Sequence, residues 1–383
     1  MALSKDLGFG PDEQMVRDQA RRLLRESAPV DKLRALVARD HHEAYETAVQ
    51  PASWDESLWQ HMVELGWTAL GVPESYGGHG MKAIVGVALA EEIGRAAVPS
   101  PLPATQLASA VLRAAGAGEW LERIAAGEPA TLAVTPESGS WEPDDSGVEV
   151  RSAGGGVTLH GKASFVQDAR KCRLLVVSAR GKGGVGLYVV PVDAPGVTVK
   201  PDRIVDLTRD QATVVFEGVK VDPAGVAAPE GKGAAALAAA LPTILTLLAA
   251  DACGAAEWQL QTTAEYAKSR VQFERPIGFF QSVKHPLVNV MIAIDRARSL
   301  TYAAACAIDE DPADALRLAR MAKAAASDAA AFASDRSVQL HGGIGFTWEC
   351  DVQLWLKRQK HTEQLFGNGT YQRAQLARLL EAA

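Results

Sequence analysis

The spacing of apolar residues changes twice along the chain. In residues 1–128 they recur every three or four positions, as in GPDEQMVRDQARRLLRES and VGVALAEEIGRA, which predicts helices. In residues 129–228 short β-branched runs such as TLAVT, RLLVVSAR and ATVVFEGV are separated by Gly, Pro and Asp, which predicts an all-β sandwich or barrel. The helical spacing returns in residues 229–383. Four long helices are expected there, at 234–270, 281–308, 312–341 and 350–363, and together they would form a bundle.

Local signals refine two of these elements. In SWDESLWQHMVELGW, Ser53 stands at the expected helix cap and Glu56 follows three residues later, which is the spacing of a capping box. The segment GKGGVG (181–186) has the spacing GxGxxG, but it joins one predicted strand to the next. Because a dinucleotide site needs a helix directly after the glycines, we interpret this segment as a hairpin loop.

Composition and charge narrow the classes of function. The chain has 383 residues, which suits two or three domains, and its net charge of −7 argues against non-specific binding of nucleic acid. Its four cysteines form no CxxC pair and its eight histidines form no HExxH motif, so we expect neither disulfides nor a metal site.

The N-terminus has no apolar segment of signal-peptide length, which favours a cytoplasmic protein.

One uncharged segment needs a membrane test. Residues 234–250 are about long enough to span a bilayer, but they are rich in alanine, contain a proline and end at Asp251. These features favour a buried core helix, and we expect no membrane span.

Two helix ends carry candidate binding residues. The segment SRVQFERPIGFFQSVKH combines a cation, an aromatic ring and an amide at Arg270, Phe273 and Gln281, a set that suits a phosphate and a heteroaromatic ring system. The segment VQLHGGIGFTWE places Gln339 beside a glycine pair, where a backbone can approach a ligand closely. Simpler interpretations stay open: a helix–helix connection for the first segment and a C-cap with a turn for the second.

Five motifs occur in the order found in the acyl-CoA dehydrogenase family, which the chain resembles over nearly its whole length. They are LGWTALGVPESYGGHG, AEEIGRA, SRVQFERPIGFFQSVKH, VQLHGGIGFTWE and GNGTYQR. The resemblance implies an N-terminal helical domain (1–128), a central β-barrel (129–228) and a C-terminal four-helix bundle (229–383). It also implies FAD as cofactor, assembly as dimers or tetramers, oxidation of the Cα–Cβ bond of acyl-CoA thioesters, and transfer of electrons to electron-transfer flavoprotein.

The resemblance assigns FAD contacts to four groups of residues. Arg270, Phe273 and Gln281 would contact the diphosphate and adenine side, and Gln339 and Gly343 would reach the adenosine end from the adjoining subunit. Thr370 and Gln372 would form the flavin-binding pair after the last turn. Thr135, Phe165 and Gln167 would flank the isoalloxazine ring. Phe165 and Gln167 depart from the Trp and Thr that are usual in the family.

The resemblance also implies a catalytic base that this sequence lacks at both usual positions. Dehydrogenation couples removal of the α-proton by a carboxylate to departure of the β-hydrogen as hydride. Family members usually carry a glutamate immediately before the GT of the last motif, where this chain has Asn368, preceded by Gly367 in place of an aromatic residue. A side-chain amide does not accept a proton at neutral pH. Some branches place the glutamate on the first long bundle helix, at positions that correspond to Ile244 and Leu245.

Asp251 is the nearest alternative carboxylate, two helical turns beyond Ile244 and on the same helix face. It could serve as an unusual base or as a buried acid paired with a basic neighbour. Four functions stay open. The first is the subunit without a base in a mixed tetramer, similar to the heteromeric dehydrogenases of steroid side-chain CoA thioesters. The second is a homo-oligomeric dehydrogenase that uses Asp251, and the third is a flavoenzyme of another reaction class, such as nitroalkane oxidation or monooxygenation. The fourth is a binding subunit that has lost flavin.

Overall fold

The computed structural model describes residues 10–37, 52–153 and 156–381, and its N-terminal part is helical. The helices are α1 (Pro11–Ser27), α2 (Val30–Val37), α3 (Glu56–Glu64), α4 (Ala83–Ala96), α5 (Leu102–Ala115) and α6 (Gly118–Ala125). The predicted cap of α3 at Ser53 is wrong by two residues. Instead, Oδ1 of Asp55 accepts the backbone N–H groups of Ser57 and Leu58.

The central part forms one mixed sheet. Its strands are β1 (Ala130–Ala133), β2 (Val148–Ala153), β3 (Gly156–Gln167), β4 (Leu174–Gly181), β5 (Gly184–Pro191), β6 (Val197–Pro201), β7 (Gln211–Val221) and β8 (Val226–Ala228). They pair in the order β6-β7-β3-β2-β4-β5-β8, and β1 runs parallel to β4. Among the described strands no pairing joins β6 to β8, so the sheet is open and the expected barrel is not closed.

The hairpin interpretation of GKGGVG is confirmed. β4 and β5 pair antiparallel, with Leu174 opposite Pro191 and Gly181 opposite Gly184 at the turn.

The C-terminal part is again helical. It contains α7 (Gly233–Ser269), α8 (Gln281–Glu310), α9 (Pro312–His341), α10 (Val352–Gln364) and α11 (Gly369–Glu381), with the short strands β9 (Val271–Gln272) and β10 (Arg275–Pro276) between α7 and α8. The four predicted long helices are confirmed to within two residues at each end. α11 begins inside the GNGT segment and is a further helix beyond the four predicted ones.

α7 is the helix that contains the uncharged segment. By length and composition it could cross a membrane, but 56% of its most apolar window is buried inside the protein. It packs against α4, α8 and α9. Burial on several sides indicates a central core helix.

The largest apolar core joins all three parts of the chain. It includes Trp67 and Leu89 from the N-terminal helices, Leu132 and Leu187 from the sheet, and Ile244 from α7. The three parts therefore meet around α7, and three pockets lined by described residues lie along this junction.

Candidate active site

Three neighbouring pockets form one groove at the junction, called here the central groove. Their volumes are about 430, 360 and 330 Å³. The first and second pockets share Gln167 and Leu365 as lining residues, and the second and third share Trp141 and Phe366. Its walls come from α5, the sheet, α7 and the loop before α11. Residues far apart in the sequence therefore face a common space.

The central groove brings together the three residues expected to flank the flavin ring. Thr135, Phe165 and Gln167 all line its second pocket. β3 has a register shift between Ala163 and Val166, and within this bulge Phe165 adopts a φ of 59°. A left-handed conformation is strained in a non-glycine residue and is frequent at functional sites. The bulge leaves the Phe165 side chain 39% exposed at the groove.

The amide of Gln167 uses both of its donors within the protein. Its Nε2 donates to the backbone oxygen of Phe165 at 2.9 Å and to Oε1 of Gln211 at 3.1 Å. Its Oε1 lies 2.7 Å from Nε2 of His361, which must therefore donate. Burial lowers the pKa of His361 to about 4, so this ring is neutral at pH 7. Gln167 can accept a hydrogen bond in the groove but has no donor left to offer.

Asn368, at the expected position of the base, caps the last helix. Its Oδ1 accepts the backbone N–H of Tyr371 at 3.0 Å, and its backbone oxygen accepts the N–H of Gln372 at 3.0 Å. Asparagine is a favoured N-cap residue because its short side chain satisfies a free N–H of the first turn. The side chain at this position therefore starts α11 and supplies no proton acceptor.

The flavin-binding pair expected after this turn is divided between surface and interior. Thr370 is exposed, whereas Gln372 is buried. Nε2 of Gln372 donates to the backbone oxygen of Phe366 at 2.5 Å, and its Oε1 accepts from Arg320 at 2.9 Å. Gln372 thus fixes the loop before α11 from the inside.

A buried lysine that the sequence motifs do not single out holds the same loop. Lys323, on α9, is 1% exposed, and its Nζ donates to the backbone oxygens of Thr362, Glu363 and Gly367 at 3.0 to 3.3 Å. Burial lowers the pKa of Lys323 to about 7. A charged residue within the alanine-rich run ARMAKAAASDAA is the sequence signal that could have revealed it.

Asp251 lines the first pocket but lies at the centre of a buried ion-pair cluster. Its Oδ2 is 2.6 Å from a guanidinium nitrogen of Arg358, and its Oδ1 is 3.1 Å from one of Arg209. Burial alone would raise the pKa of Asp251, but the two guanidinium groups outweigh it and hold the pKa below its usual value. A carboxylate with a lowered pKa is a weak base, so the geometry favours the structural alternative.

Glu142 is a second carboxylate at the groove, and no motif points to it. It lies between β1 and β2 and lines the third pocket. Its Oε1 accepts from the Tyr371 hydroxyl at 3.0 Å and from Nε2 of Gln375 at 2.7 Å. Burial, reinforced by Glu142, raises the pKa of Tyr371 to about 12, so the phenol remains a donor at neutral pH. Glu142 therefore connects the sheet to α11.

Five of the proposed FAD contacts lie on the outer surface and do not line the central groove. They are Arg270, Phe273, Gln281, Gln339 and Gly343. The rings of Tyr266 and His341 stack with centroids 4.2 Å apart, which joins the end of α7 to the end of α9. The two segments that carry these candidates are thereby held side by side. A Cβ built on Gly343 would meet no described atom within 4 Å, so the backbone there is open to approach.

The hairpin between α7 and α8 presents an aromatic ring to solvent. Phe273 and Glu274 form its two-residue turn, with φ values of 55° and 61°. Such turns normally use glycine or asparagine. Phe273 is also 85% exposed, although its ring makes an edge-to-face contact with Phe280, with centroids 6.0 Å apart. Strain and exposure in one turn indicate a binding role rather than a role in folding.

These residues fit an FAD bound partly on the outer surface. An exposed guanidinium such as Arg270 suits a diphosphate, and an exposed ring such as Phe273 suits stacking on a base. The groove residues fit the flavin ring less well, because Gln167 has no donor left for a ring nitrogen. Within one chain, the surface residues and the groove residues do not line a common pocket among the described residues.

Comparison with known proteins identifies the family. Residues 10–128 match the model of the acyl-CoA dehydrogenase N-terminal domain, and residues 231–381 match that of the acyl-CoA dehydrogenase C-terminal domain. The chain is 33% identical over 357 residues to acyl-CoA dehydrogenase IpdE2 of Mycobacterium tuberculosis, covering 93% of each chain. The chain therefore belongs to the acyl-CoA dehydrogenase family, whose members bind FAD and are oxidoreductases acting on CH–CH donors.

Two solved structures extend the comparison to complexes. A variant of the Tcur3481-Tcur3483 steroid ACAD has a TM-score of 0.85 and 26% identity, covering 97% of this chain and 98% of that chain. The ChsE4-ChsE5 complex from Mycobacterium tuberculosis has a TM-score of 0.86 and 25% identity, covering 99% of both chains.

Proposed function

We propose that this chain is the subunit without a catalytic base in a mixed oligomer that dehydrogenates acyl-CoA thioesters. The observation that carries the proposal is the role of Asn368. Its side chain caps α11 at the position where the family resemblance implies a glutamate. A second, homologous chain supplies the carboxylate.

The chemistry defines what this chain lacks. FAD, when bound, would supply the acceptor for the β-hydrogen as hydride, and a positioned carboxylate must take the α-proton. Among the described residues that line the central groove, the carboxylates are Asp251 and Glu142. Two arginines neutralise Asp251, and Glu142 accepts two hydrogen bonds from α11. Asp251 is therefore held in a buried ion-pair cluster, and Glu142 is held by its contacts with α11.

The residues on the outer surface support a shared cofactor site. Arg270, Phe273 and Gln339 are exposed and lie outside the central groove. We assign them to the FAD site of the assembly, contacting the cofactor together with an adjoining subunit. Thr370 contributes from the exposed start of α11.

The relatives support a mixed assembly and a bulky substrate. The ChsE4-ChsE5 structure is a complex of two named chains, and the Tcur3481-Tcur3483 protein is described as a steroid ACAD. We extend these properties to this chain and assign it acyl-CoA thioesters with steroid-derived side chains as the substrate class. Electron-transfer flavoprotein is the proposed acceptor. The cytoplasm is the proposed location, in keeping with four free cysteines, of which three are buried.

Anaerobic reduction of bound flavin tests the proposal. The chain is purified alone with added FAD, and also after co-expression with a homologous chain that carries the glutamate before GT. Each preparation is mixed with a panel of acyl-CoA thioesters, and the visible flavin absorbance is followed. We expect bleaching only in the co-expressed complex. Bleaching by the lone chain would contradict the proposal, and Asp251→Asn and Glu142→Gln would then show which carboxylate acts.

A further inference from the structure

Two stacked rings form a wall between the second and third pockets of the central groove. Trp141, between β1 and β2, and Phe366, in the loop before α11, have ring centroids 4.7 Å apart with an interplanar angle of 28°. Both residues line both pockets. Of these two pockets, Phe165 and Gln167 line only the second and Ile244 lines only the third, whereas Thr135 lines both.

The wall stands between Phe165 and Gln167, on the expected flavin side, and Ile244, one of the two positions where family members carry a base. Ile244, one of these positions, lines the third pocket. Asn368, the other, follows Phe366 by two residues. A carboxylate that extended from position 244 toward Phe165 and Gln167 would meet the stacked rings.

Hydrogen bonds hold the two chain segments that carry these rings. Next to Trp141, Glu142 accepts from Tyr371 and Gln375. Phe366 has a φ of 54°, and Gln372 donates to its backbone oxygen. The strained backbone of Phe366 is thus held by a specific contact from α11.

Gly367 makes this arrangement possible. Its φ is 91°, and a Cβ built on it would lie 2.1 Å from Cδ1 of Tyr371. Any side chain at this position would therefore displace the Tyr371 ring, whose hydroxyl donates to Glu142. The aromatic residue that is common here in the family is incompatible with the observed position of Tyr371.

We infer that residues 140–143 form a latch that closes this chain's own half of the reaction site to acyl-CoA. Trp141 blocks the groove by stacking on Phe366, and Glu142 fastens the latch to α11. The inference rests on the proposed function and adds to it: the half-site lacks a base and is also closed. Restoring a glutamate would therefore not restore turnover by itself.

Four variants of the full chain with added FAD test the latch. Trp141→Ser removes the blocking ring, and Trp141→Phe is the matched control that keeps an aromatic ring. Asn368→Glu restores the base, and Asn368→Glu combined with Trp141→Ser restores both base and access. Binding of butyryl-CoA, octanoyl-CoA and a steroid side-chain CoA thioester is measured by calorimetry, and anaerobic flavin bleaching is measured in parallel.

We expect the wild type, Trp141→Phe and Asn368→Glu to bind each thioester at least tenfold more weakly than Trp141→Ser. Only the double variant should bleach its flavin. If Trp141→Ser loses its cooperative unfolding transition, Glu142→Ala is tested in its place, because it releases the latch from α11 without changing a ring. Glu142→Ala should strengthen thioester binding at least threefold.

Different results would contradict the latch and the proposed lack of a base. Equal binding by the wild type and by every folded latch variant would overturn the latch, as would bleaching by Asn368→Glu at the rate of the double variant. Bleaching by the wild type would instead overturn the proposed function.

Discussion

Asp251 faces two guanidinium groups in the interior, at 2.6 Å from Arg358 and 3.1 Å from Arg209. Asp251→Asn would remove the carboxylate that pairs directly with both buried guanidinium groups. Removing one partner of a buried ion pair typically costs about 3–5 kcal/mol. We expect the free energy of unfolding to fall by this amount in denaturant titrations of the chain.

Glu265→Gln is the matched control for Asp251. Glu265 pairs with Lys268 at 2.6 Å on the exposed surface of α7, where a pair contributes about 1 kcal/mol or less. If Asp251→Asn costs no more than this control and still abolishes flavin reduction, Asp251 acts as a base and its structural role is wrong.

Lys323 makes stability depend on pH in a defined window. Its pKa is about 7 in the folded protein against an ordinary value of 10.5. Between pH 7 and 10.5 the unfolded chain binds more protons than the folded protein, so the free energy of unfolding rises with pH. Below pH 7 Lys323 is protonated in both states, so this rise is absent. At about 1.4 kcal/mol per pKa unit, Lys323 should contribute a rise of about 2–3 kcal/mol between pH 6 and 9.

Comparison with Lys323→Met isolates this contribution. The difference in unfolding free energy between wild type and Lys323→Met should change by this amount over the same pH range. Lys360→Met, at a half-exposed lysine, is the control measured in parallel. A pH-independent difference for Lys323→Met would show that the folded protein does not lower this pKa.

Glu142 and His361, both missed by sequence reasoning, share one property. Glu142 contacts Gln375 across 233 residues, and His361 contacts Gln167 across 194 residues. No local spacing relates such pairs, because the meeting of the sheet with α10 and α11 creates them. Asn368 differs: its substitution is visible in the sequence, but its role as a cap requires the start of α11 to be known.

At the scale of elements, α4 and α7 cross at two glycines. A Cβ built on Gly94 would lie 2.0 Å from the backbone oxygen of Asp251, and one on Gly254 would lie 1.8 Å from that of Glu91. The two backbones are therefore in direct contact beside the Asp251 cluster. We expect Gly94→Ala to lower the free energy of unfolding by about 2 kcal/mol or more, because the helices must separate.

Gly86→Ala provides the control on the same helix. A Cβ at Gly86 would lie 3.6 Å from Cδ2 of Leu247, an ordinary contact. Alanine also favours the helix over glycine by about 0.5–1 kcal/mol. Thermal unfolding should show Gly86→Ala equal to or above the wild type. Similar midpoints for Gly94→Ala and Gly86→Ala would contradict the close crossing.

Most elements could be predicted from hydrophobic period alone, and the exceptions have physical causes. The four long helices and the β4–β5 hairpin follow directly from spacing and glycine position. Closure of a barrel would require β6 to pair with β8. These strands are far apart in the sequence, so their local spacing does not show whether they pair. α11 begins at Gly369, where its first turn contains no apolar period to mark it.

At the scale of the whole molecule, α8 presents an apolar stripe to solvent. Val288, Met291 and Ile292 are 46%, 45% and 57% exposed and occupy one helix face. A stripe of this kind on a family member that is expected to form oligomers indicates a subunit interface. We expect Ile292→Glu to reduce the mass measured by light scattering, while Met15→Glu, at a similarly exposed residue of α1, leaves it unchanged. An unchanged mass for Ile292→Glu would place the interface elsewhere.

Exchange of the substrate's α-hydrogen tests the missing base most directly, because it needs a proton acceptor but no net oxidation. An acyl-CoA deuterated at Cα is incubated in ordinary water with the FAD-loaded chain alone, and with the complex that contains a glutamate-bearing homologue. Loss of deuterium is followed by NMR. The account predicts exchange by the complex and none above buffer by the lone chain; exchange catalysed by the lone chain would contradict it.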